Sequence, residues 1–399
     1  MLLLAEYLQN PGQRAVDNAA VWIKADTIHF AGKLEALPPL AKADPEIYQI
    51  DGGLYPGLVN AHCHLELSHL ENLPYPGEFV AWIRQVLKKK YQEQNETPQR
   101  ALARGVLLSM LGGTTTVGDH ISCDGELEEL LHAPLRGRAF IEILGVVEQV
   151  AVELCENSFA LAQALDSSTG KIRLHPSPHS VHALYPAVLK NILSQDHELV
   201  SIHLGESETE QKYFAESTGT MAELIRERGS PLSPSAGSAL AVLEQNGFLD
   251  DRVLAIHGNY FTEEELKLCA QRHVSIVHCP LSHQYFSHRP FPIVAAIRLG
   301  VNVALGTDSL ASASSLSMLE VLRGAQKNFP QLTNGEIFSM ATHHGAMALK
   351  MSDQVGEIAP GKKADIIAIR SPKNRDPLEA LFAAEQVEFS MIGGRMWIG

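Results

Sequence analysis

Residues 60–69 read NAHCHLELSH and hold five side chains able to bind a metal: His62, Cys63, His64, Glu66 and His69. On an extended strand, residues i and i+2 project to one side and the residue between them to the other. His62 and His64 are therefore the ligand pair, and Cys63 turns away. Three later apolar runs end in groups of the same kind. LVSIHLGES (199–207) carries His203 and then Glu206, RVLAIHGNY (252–260) carries His257, and NVALGTDS (302–309) carries Asp308.

His62, His64, His203 and Asp308 offer three nitrogens and one oxygen. With a position left for water, such a set suits one catalytic divalent ion, Zn²⁺ by preference, with Fe²⁺ left open. A bound metal lowers the pKa of its water to roughly 7, after which a proton must reach the leaving group. Glu206 is the candidate carrier, and Asp308 a second acceptor. His257 is the candidate hydrogen-bond partner for developing charge. Each residue alone has an ordinary explanation. An H-x-H arises by chance, His203 can be a packed core histidine, His257 can be a fifth ligand or simple packing, Asp308 can cap a helix, and Glu206 can be solvated beside Glu208 and Glu210. Their joint position at strand ends selects the metal reading.

Those positions depend on the elements that carry them. Eight short runs rich in Val, Ile and Thr recur: 57–64, 113–122, 138–145, 171–180, 199–207, 252–260, 274–280 and 302–309. Helical patterns lie between most of them, among them FVAWIRQVLKKKYQEQ, QRALARGVLLSMLGG, TMAELIRERG and TEEELKLCAQRH. The alternation predicts an α/β fold, a distorted (β/α)8 TIM barrel over residues 53–359 whose active site lies at the C-terminal ends of the strands. Residues 1–52 read as short antiparallel strands, and residues 360–399 have the same texture, with a Pro-Gly turn and a hairpin-like Gly-Gly. Neither end has enough core to stand alone, so both are expected to form one small β-sandwich domain. After the eighth run, SSLSMLEVLRGAQKN and NGEIFSMATHHGAMAL each read as a helix.

Composition narrows the function classes. The 399 residues are 45% apolar and 20% charged with a formal net charge of −14, so no basic surface invites nucleic acid or an anionic membrane. The five cysteines show no paired spacing. No apolar run is long enough to span a bilayer, and MLLLAEYLQNPGQ lacks the basic flank of a signal peptide. The expected compartment is the cytoplasm.

The motifs PGLVNAHCH, HLGES, IHGN and LGTDS together resemble the amidohydrolase superfamily, in its cytosine deaminase-like branch with a single catalytic metal, and APGKKADI resembles the return into the terminal β domain. The resemblance spans essentially the whole chain. It implies His62, His64, His203 and Asp308 as ligands, with Glu206 and His257 catalytic. Binuclear branches bridge their metals with a lysine on the fourth strand. The only lysine of KIRLHPSPHS, Lys171, stands at the wrong end, which favours the mononuclear reading. Relatives that hydrolyse triazines can lack the glutamate of HLGES, so its presence points to deamination of a heterocyclic amine.

Specificity is expected from the loops. His179 in SPHSVH looks like the histidine that related nucleoside deaminases direct at the substrate, and the loop of His278, Ser282 and His283 approaches the substrate in relatives. Glu66 and His69 begin the pocket past the ligand pair, and Phe79 and Trp82 are candidates for its wall. The pattern HLELS…GEFVAWI is similar to a subgroup that deaminates aminodeoxyfutalosine, a 6-aminopurine nucleoside. The acidic residue that binds ribose hydroxyls in methylthioadenosine-type relatives has no counterpart in VLKKKYQEQ. Guanine-, cytosine- and pterin-type deaminases, triazine hydrolases and cyclic amidohydrolases of the same superfamily remain alternatives, as does a non-catalytic metal- or ligand-binding barrel. The expected partner is a small heterocyclic amine, and a homodimer is expected by analogy.

Overall fold

All eight runs form strands in a computed structural model, which describes residues 1–71, 73–92, 97–122, 126–165, 170–230, 236–371 and 375–398. Four terminal strands come first: β1 (Leu2–Leu8), β2 (Val16–Lys24), β3 (Thr27–Lys33) and β4 (Ile47–Pro56). The barrel strands follow as β5 (Leu58–Cys63), β6 (Thr114–Ile121), β7 (Arg136–Ile143), β8 (Ile172–Pro178), β9 (Val200–Leu204), β10 (Val253–His257), β11 (Ser275–His278) and β12 (Val303–Leu305). Then come β13 (Ile366–Ile369), β14 (Phe389–Ile392) and β15 (Arg395–Ile398). Cys123, for which the sequence suggested no role, lies outside the described residues.

The barrel is built as two parallel half-barrels, β5-β6-β7-β8 and β12-β11-β10-β9. Single bridges join them at both seams, Cys63 to Asp308 and Ser180 to His203. Every residue of β5, β6, β9 and β10 is buried. Strands covered on both faces need continuous rather than alternating burial, which the Val, Ile and Thr runs supply.

The other strands form a seven-stranded mixed sheet in the order β15-β14-β13-β4-β1-β2-β3. The sheet curls until Thr27 at one edge bridges Lys363, just before β13. This gives the small sandwich, whose core includes Leu3, Val21, Ile28, Leu54, Ile366 and Phe389. Gly393 and Gly394, with φ of 58° and 74°, make the tight turn between β14 and β15.

Two expectations need correction, and one domain boundary is proposed afresh. The N-terminal strands are not all antiparallel, because β1 pairs parallel with β4 while β2 and β3 follow as antiparallel neighbours. The boundary at residue 52 falls inside β4, whose residues 53–56 still pair with β13. The Asp-Gly-Gly that reads as a turn instead passes a β-bulge, and we propose that the terminal body extends to Pro56. The segment NGEIFSMATHHGAMAL forms two helices, Asn334–Met340 and His343–Ala348, because Thr342 leaves helical geometry between them. A long helix at Glu148–Leu165 was also not foreseen.

The sandwich is tied to the barrel by a buried ion pair. Arg136, opening β7, donates from Nε to Asp365 Oδ2 at 2.7 Å, and both side chains are almost wholly buried. The backbone N–H of Gly393 donates to the same carboxylate at 2.7 Å.

Candidate active site

The ends of β5, β9, β10 and the segment after β12 converge on one point. Nε2 of His62 lies 3.6 Å from Asp308 Oδ1, and Nε2 of His64 lies 3.9 Å from the same oxygen. The ring centroids of His203 and His257 stand 5.0 and 5.4 Å from that of His62. Ligand atoms of His62, His64 and Asp308, and those of His62, His203 and His257, each fall within 4.8 Å of one another. Gly306 permits this approach, since a Cβ there would lie 2.7 Å from the carbonyl oxygen of His62.

The backbone is bent to serve the site. His257 and Asp308 have φ of 73° and 63°, left-handed conformations that cost a non-glycine residue free energy unless the surroundings enforce them. Around Asp308 the enforcement is visible. Oδ2 accepts from the hydroxyls of Ser282 and Ser312, both at 2.7 Å, and Oδ1 accepts from the Ser309 N–H at 2.8 Å. These donors fix the carboxylate so that Oδ1 faces His62 and His64.

The histidines are oriented in the same way. His203 donates from Nδ1 to the carbonyl of His179 at 2.8 Å, which directs Nε2 into the cluster. Nδ1 of His62 meets Nδ1 of His120 at 3.0 Å. Nε2 of His62 is buried and has no hydrogen-bond partner in the protein. Burial and neighbouring imidazoles hold the pKa values of His64 and His203 well below normal, and burial takes His257 to about 3. Burial would raise Asp308, but the facing imidazoles of His62, His257 and His64 take it well below the usual carboxylate range. Neutral imidazoles around an ionised carboxylate form a donor set that fits a divalent cation.

Glu206 follows two residues after β9. Its backbone N–H and that of Gly205 both donate to the buried carboxylate of Glu210, at 2.8 and 2.9 Å, so the HLGES turn is pinned. The Glu206 carboxyl points at His257, with Oε1 3.6 Å from Nε2. Burial, reinforced by Asp308 and Glu210, pushes its pKa well above normal. Two carboxyl groups of opposite protonation thus share one site.

A cavity opens over this cluster. Phe79 and Trp82 lie on its wall with Ile83 and Val86 of the helix Phe79–Gln92, facing Met221 and Leu224. Trp82 also donates from Nε1 to the Ala311 carbonyl at 3.1 Å. His179 and Glu66 line the cavity. Glu66 Oε1 is held by Lys90 Nζ at 2.6 Å and Ser122 Oγ at 2.7 Å. The structure does not bring four expected substrate contacts to the wall. His69 faces an adjoining recess with Glu66 and Lys90. His278 is stacked on Phe291 at 4.6 Å. His283 contacts Asn259 Oδ1 at 3.1 Å, and Ser282 is the donor to Asp308 already described. Their loop supports the site from behind, because the helix Pro280–Phe286 turns it inward to pack.

Among the polar groups at the site that sequence reasoning missed are His120, Lys90, Ser122 and Glu142. His120 and Glu142 end the second and third barrel strands, so an ionisable residue near the end of an apolar run was a usable signal. Lys90 and Ser122 carried none.

The family model described as the amidohydrolase family matches residues 54–396. A 5-methylthioadenosine/S-adenosylhomocysteine deaminase of Desulforudis audaxviator is 28% identical over 365 residues, covering 88% of this chain and 80% of the relative. An adenosine deaminase of Xanthomonas campestris with bound zinc has a TM-score of 0.80 and 24% identity, across 100% of this chain and 92% of that one. The aminofutalosine deaminase of Helicobacter pylori, in complex with methylthio-coformycin, has a TM-score of 0.86 and 21% identity, across 100% of both chains. The two structural likenesses establish the fold.

Proposed function

The chain belongs to the amidohydrolase family, and we propose that it hydrolyses the exocyclic C–N bond of a 6-aminopurine nucleoside-like substrate, releasing ammonia. The observation that carries this reading is the Glu206–His257 pair, 3.6 Å apart beside the four-ligand set. A binding protein has no chemical use for two proton-handling groups there. The zinc held by the Xanthomonas relative, and the nucleoside substrates in the names of the other two, support the metal and the substrate class.

His62, His64, His203 and Asp308 would hold one divalent ion, Zn²⁺ by preference. When bound, that ion supplies nucleophilic water at neutral pH by lowering its pKa. Burial favours the acid form of Glu206, which makes it the proton donor. It donates this proton to the ring nitrogen beside the attacked carbon, which makes that carbon electrophilic. As the carbon becomes tetrahedral, neutral His257 gives a hydrogen bond to the incoming oxygen. Left as a carboxylate, Glu206 takes up a proton that the attacking water loses and passes it to the departing amine, which leaves as ammonia; the remaining water proton, shed as the carbonyl forms, passes by way of Asp308 and restores the acid form of Glu206.

The apolar wall of Phe79, Trp82, Ile83 and Val86 suits the face of a heterocycle and an apolar substituent. Among the described residues no helix is long and apolar enough to cross a membrane. Four cysteines, 63, 155, 269 and 279, are buried and unbridged. This supports a reducing compartment, the cytoplasm.

The test is ammonia release by the zinc-loaded protein from 5′-methylthioadenosine, adenosine, guanine, cytosine, a pterin and an aminotriazine. The adenosines are expected to give the highest kcat/KM. Silence from every amine, with ring opening of a cyclic amide such as dihydrouracil, overturns the deaminase reading.

A further inference from the structure

Glu142, in β7, has a nearly buried side chain on the cavity wall. Its Oε1 lies 3.8 Å from His179 Nε2. Oε1 of Glu142 is buried without a hydrogen-bond partner. A separation of 3.8 Å is too long for a direct hydrogen bond. It is, however, short enough for a single oxygen atom to stand about 2.8 Å from both atoms. A buried carboxyl oxygen left without a partner is costly unless something fills the gap between it and the facing imidazole.

The chemistry of the pair restricts what can bridge it. His179 is held rigidly, with its ring stacked on His203 at 4.4 Å and 16°. A neutral imidazole nitrogen either donates or accepts, and a carboxyl group can also do either according to its proton. When one of the pair donates and the other accepts, a bridging atom must donate to one and accept from the other. A ring nitrogen without hydrogen cannot donate, an aromatic amine accepts poorly, and a carboxylate cannot donate. A hydroxyl does both from one atom.

Position says which part of a substrate would carry it. His64 presents Nε2 to Asp308 and Nδ1 to Glu142, whose Oε2 is 3.9 Å away. Glu142 thus stands behind the His64 ring, on the side away from Asp308. The hydroxyl belongs on a substituent of the heterocycle, not on the ring that is attacked.

We infer that Glu142 and His179 form a subsite for one hydroxyl on the substituent of the substrate heterocycle, such as a sugar hydroxyl. This inference rests on the deaminase reading above. It assigns to β7 and the loop after β8 a recognition task for which the helix Phe79–Gln92 offers no carboxylate.

The experiment compares zinc-loaded wild type, Glu142→Gln and Glu142→Ala on 5′-methylthioadenosine and its 2′-deoxy and 3′-deoxy analogues. In the wild type, removing one of the two hydroxyls is expected to lower kcat/KM roughly 10- to 100-fold. In Glu142→Ala the parent compound is expected to fall by a similar factor, and the analogue penalty to shrink below about threefold. Glu142→Gln, which keeps an acceptor at that position, is expected to recover part of the discrimination. It also serves if the alanine variant does not fold, as judged by thermal unfolding and bound zinc. Activity on all three compounds with neither hydroxyl mattering overturns the subsite alone, as does a penalty that persists unchanged in the Glu142 variants. No ammonia from any of the three overturns the deaminase reading for adenosines, and the subsite with it.

Discussion

Nδ1 of His62 and Nδ1 of His120 lie 3.0 Å apart, so one imidazole must donate and the other accept. With Nε2 of His62 turned to Asp308, its Nδ1 carries the hydrogen and His120 accepts. His120 then keeps its own hydrogen on Nε2 and donates to Ser201 Oγ at 2.7 Å. The chain His62–His120–Ser201 sets the tautomer of a proposed ligand from two strands away.

Replacing His120 by alanine should therefore loosen metal without touching a proposed ligand. The expected loss is roughly 10- to 100-fold in zinc affinity, read by competition with a chelator. Undiminished zinc retention contradicts the relay.

Glu206→Gln should hold as much zinc as the wild type, since Glu206 faces His257 and lies outside the proposed ligand set. Turnover is expected to fall roughly 10²- to 10⁴-fold, the usual worth of a general acid–base. Metal content and single-turnover rate separate the two effects, and near-normal turnover with full metal removes Glu206 from the mechanism.

Asp119 is buried on β6, where Oδ1 accepts from the Leu65 N–H at 2.9 Å and the Cys63 thiol at 3.3 Å. Burial pushes its pKa up to about 8. An unfolded aspartate titrates near pH 4. Between about pH 4 and 8 the folded chain keeps a proton that the unfolded chain releases, so stability falls as pH rises through this window and then levels. Asp119→Asn keeps an acceptor and removes the proton. In urea denaturation at a series of pH values it should be more stable than wild type near pH 8, by on the order of a few kcal/mol, with the advantage fading towards pH 4. Parallel profiles for the two proteins rule out a protonated Asp119.

The Arg136–Asp365 pair should reveal itself by asymmetry. Asp365→Ala leaves a buried guanidinium without its partner and should cost about 3–5 kcal/mol. The double variant Arg136→Met, Asp365→Leu should recover much of that, because neither charge then needs burial. Chemical denaturation measures both, and equal losses would show that the pair matters through packing alone.

The sequence revealed the barrel because buried parallel strands are written as apolar runs, and it revealed the proposed ligands because they end those runs. The same rule, applied to GTTTVGDHIS and RAFIEILG, marks His120 and Glu142; attention to ligand spacing passed over them. The Lys90–Glu66 contact is a different case. It spans 24 positions from a helix to a short turn, and nothing in VLKKKYQ says which lysine turns inward. His278 and His283 lie off the cavity for a related reason, since a histidine at or after a strand end reads alike whether it faces a cavity or packs inward, as His278 does on Phe291. The parallel pairing of β1 with β4 was hidden because strand direction depends on the crossover and not on the strand's own residues.

The two half-barrels meet through one bridge at each seam, and the four proposed ligands are divided between them, His62 and His64 on the first and His203 and Asp308 on the second. An ion bound there acts as a rivet across a joint. Loading it should slow the opening of the joint more than the fraying of either half. Amide exchange at Cys63 and His203 would then report occupancy while the terminal sandwich exchanges as before. Maturation, on this view, ends with the metal: the polypeptide can be fully threaded and still rattle at its seams until the ion arrives.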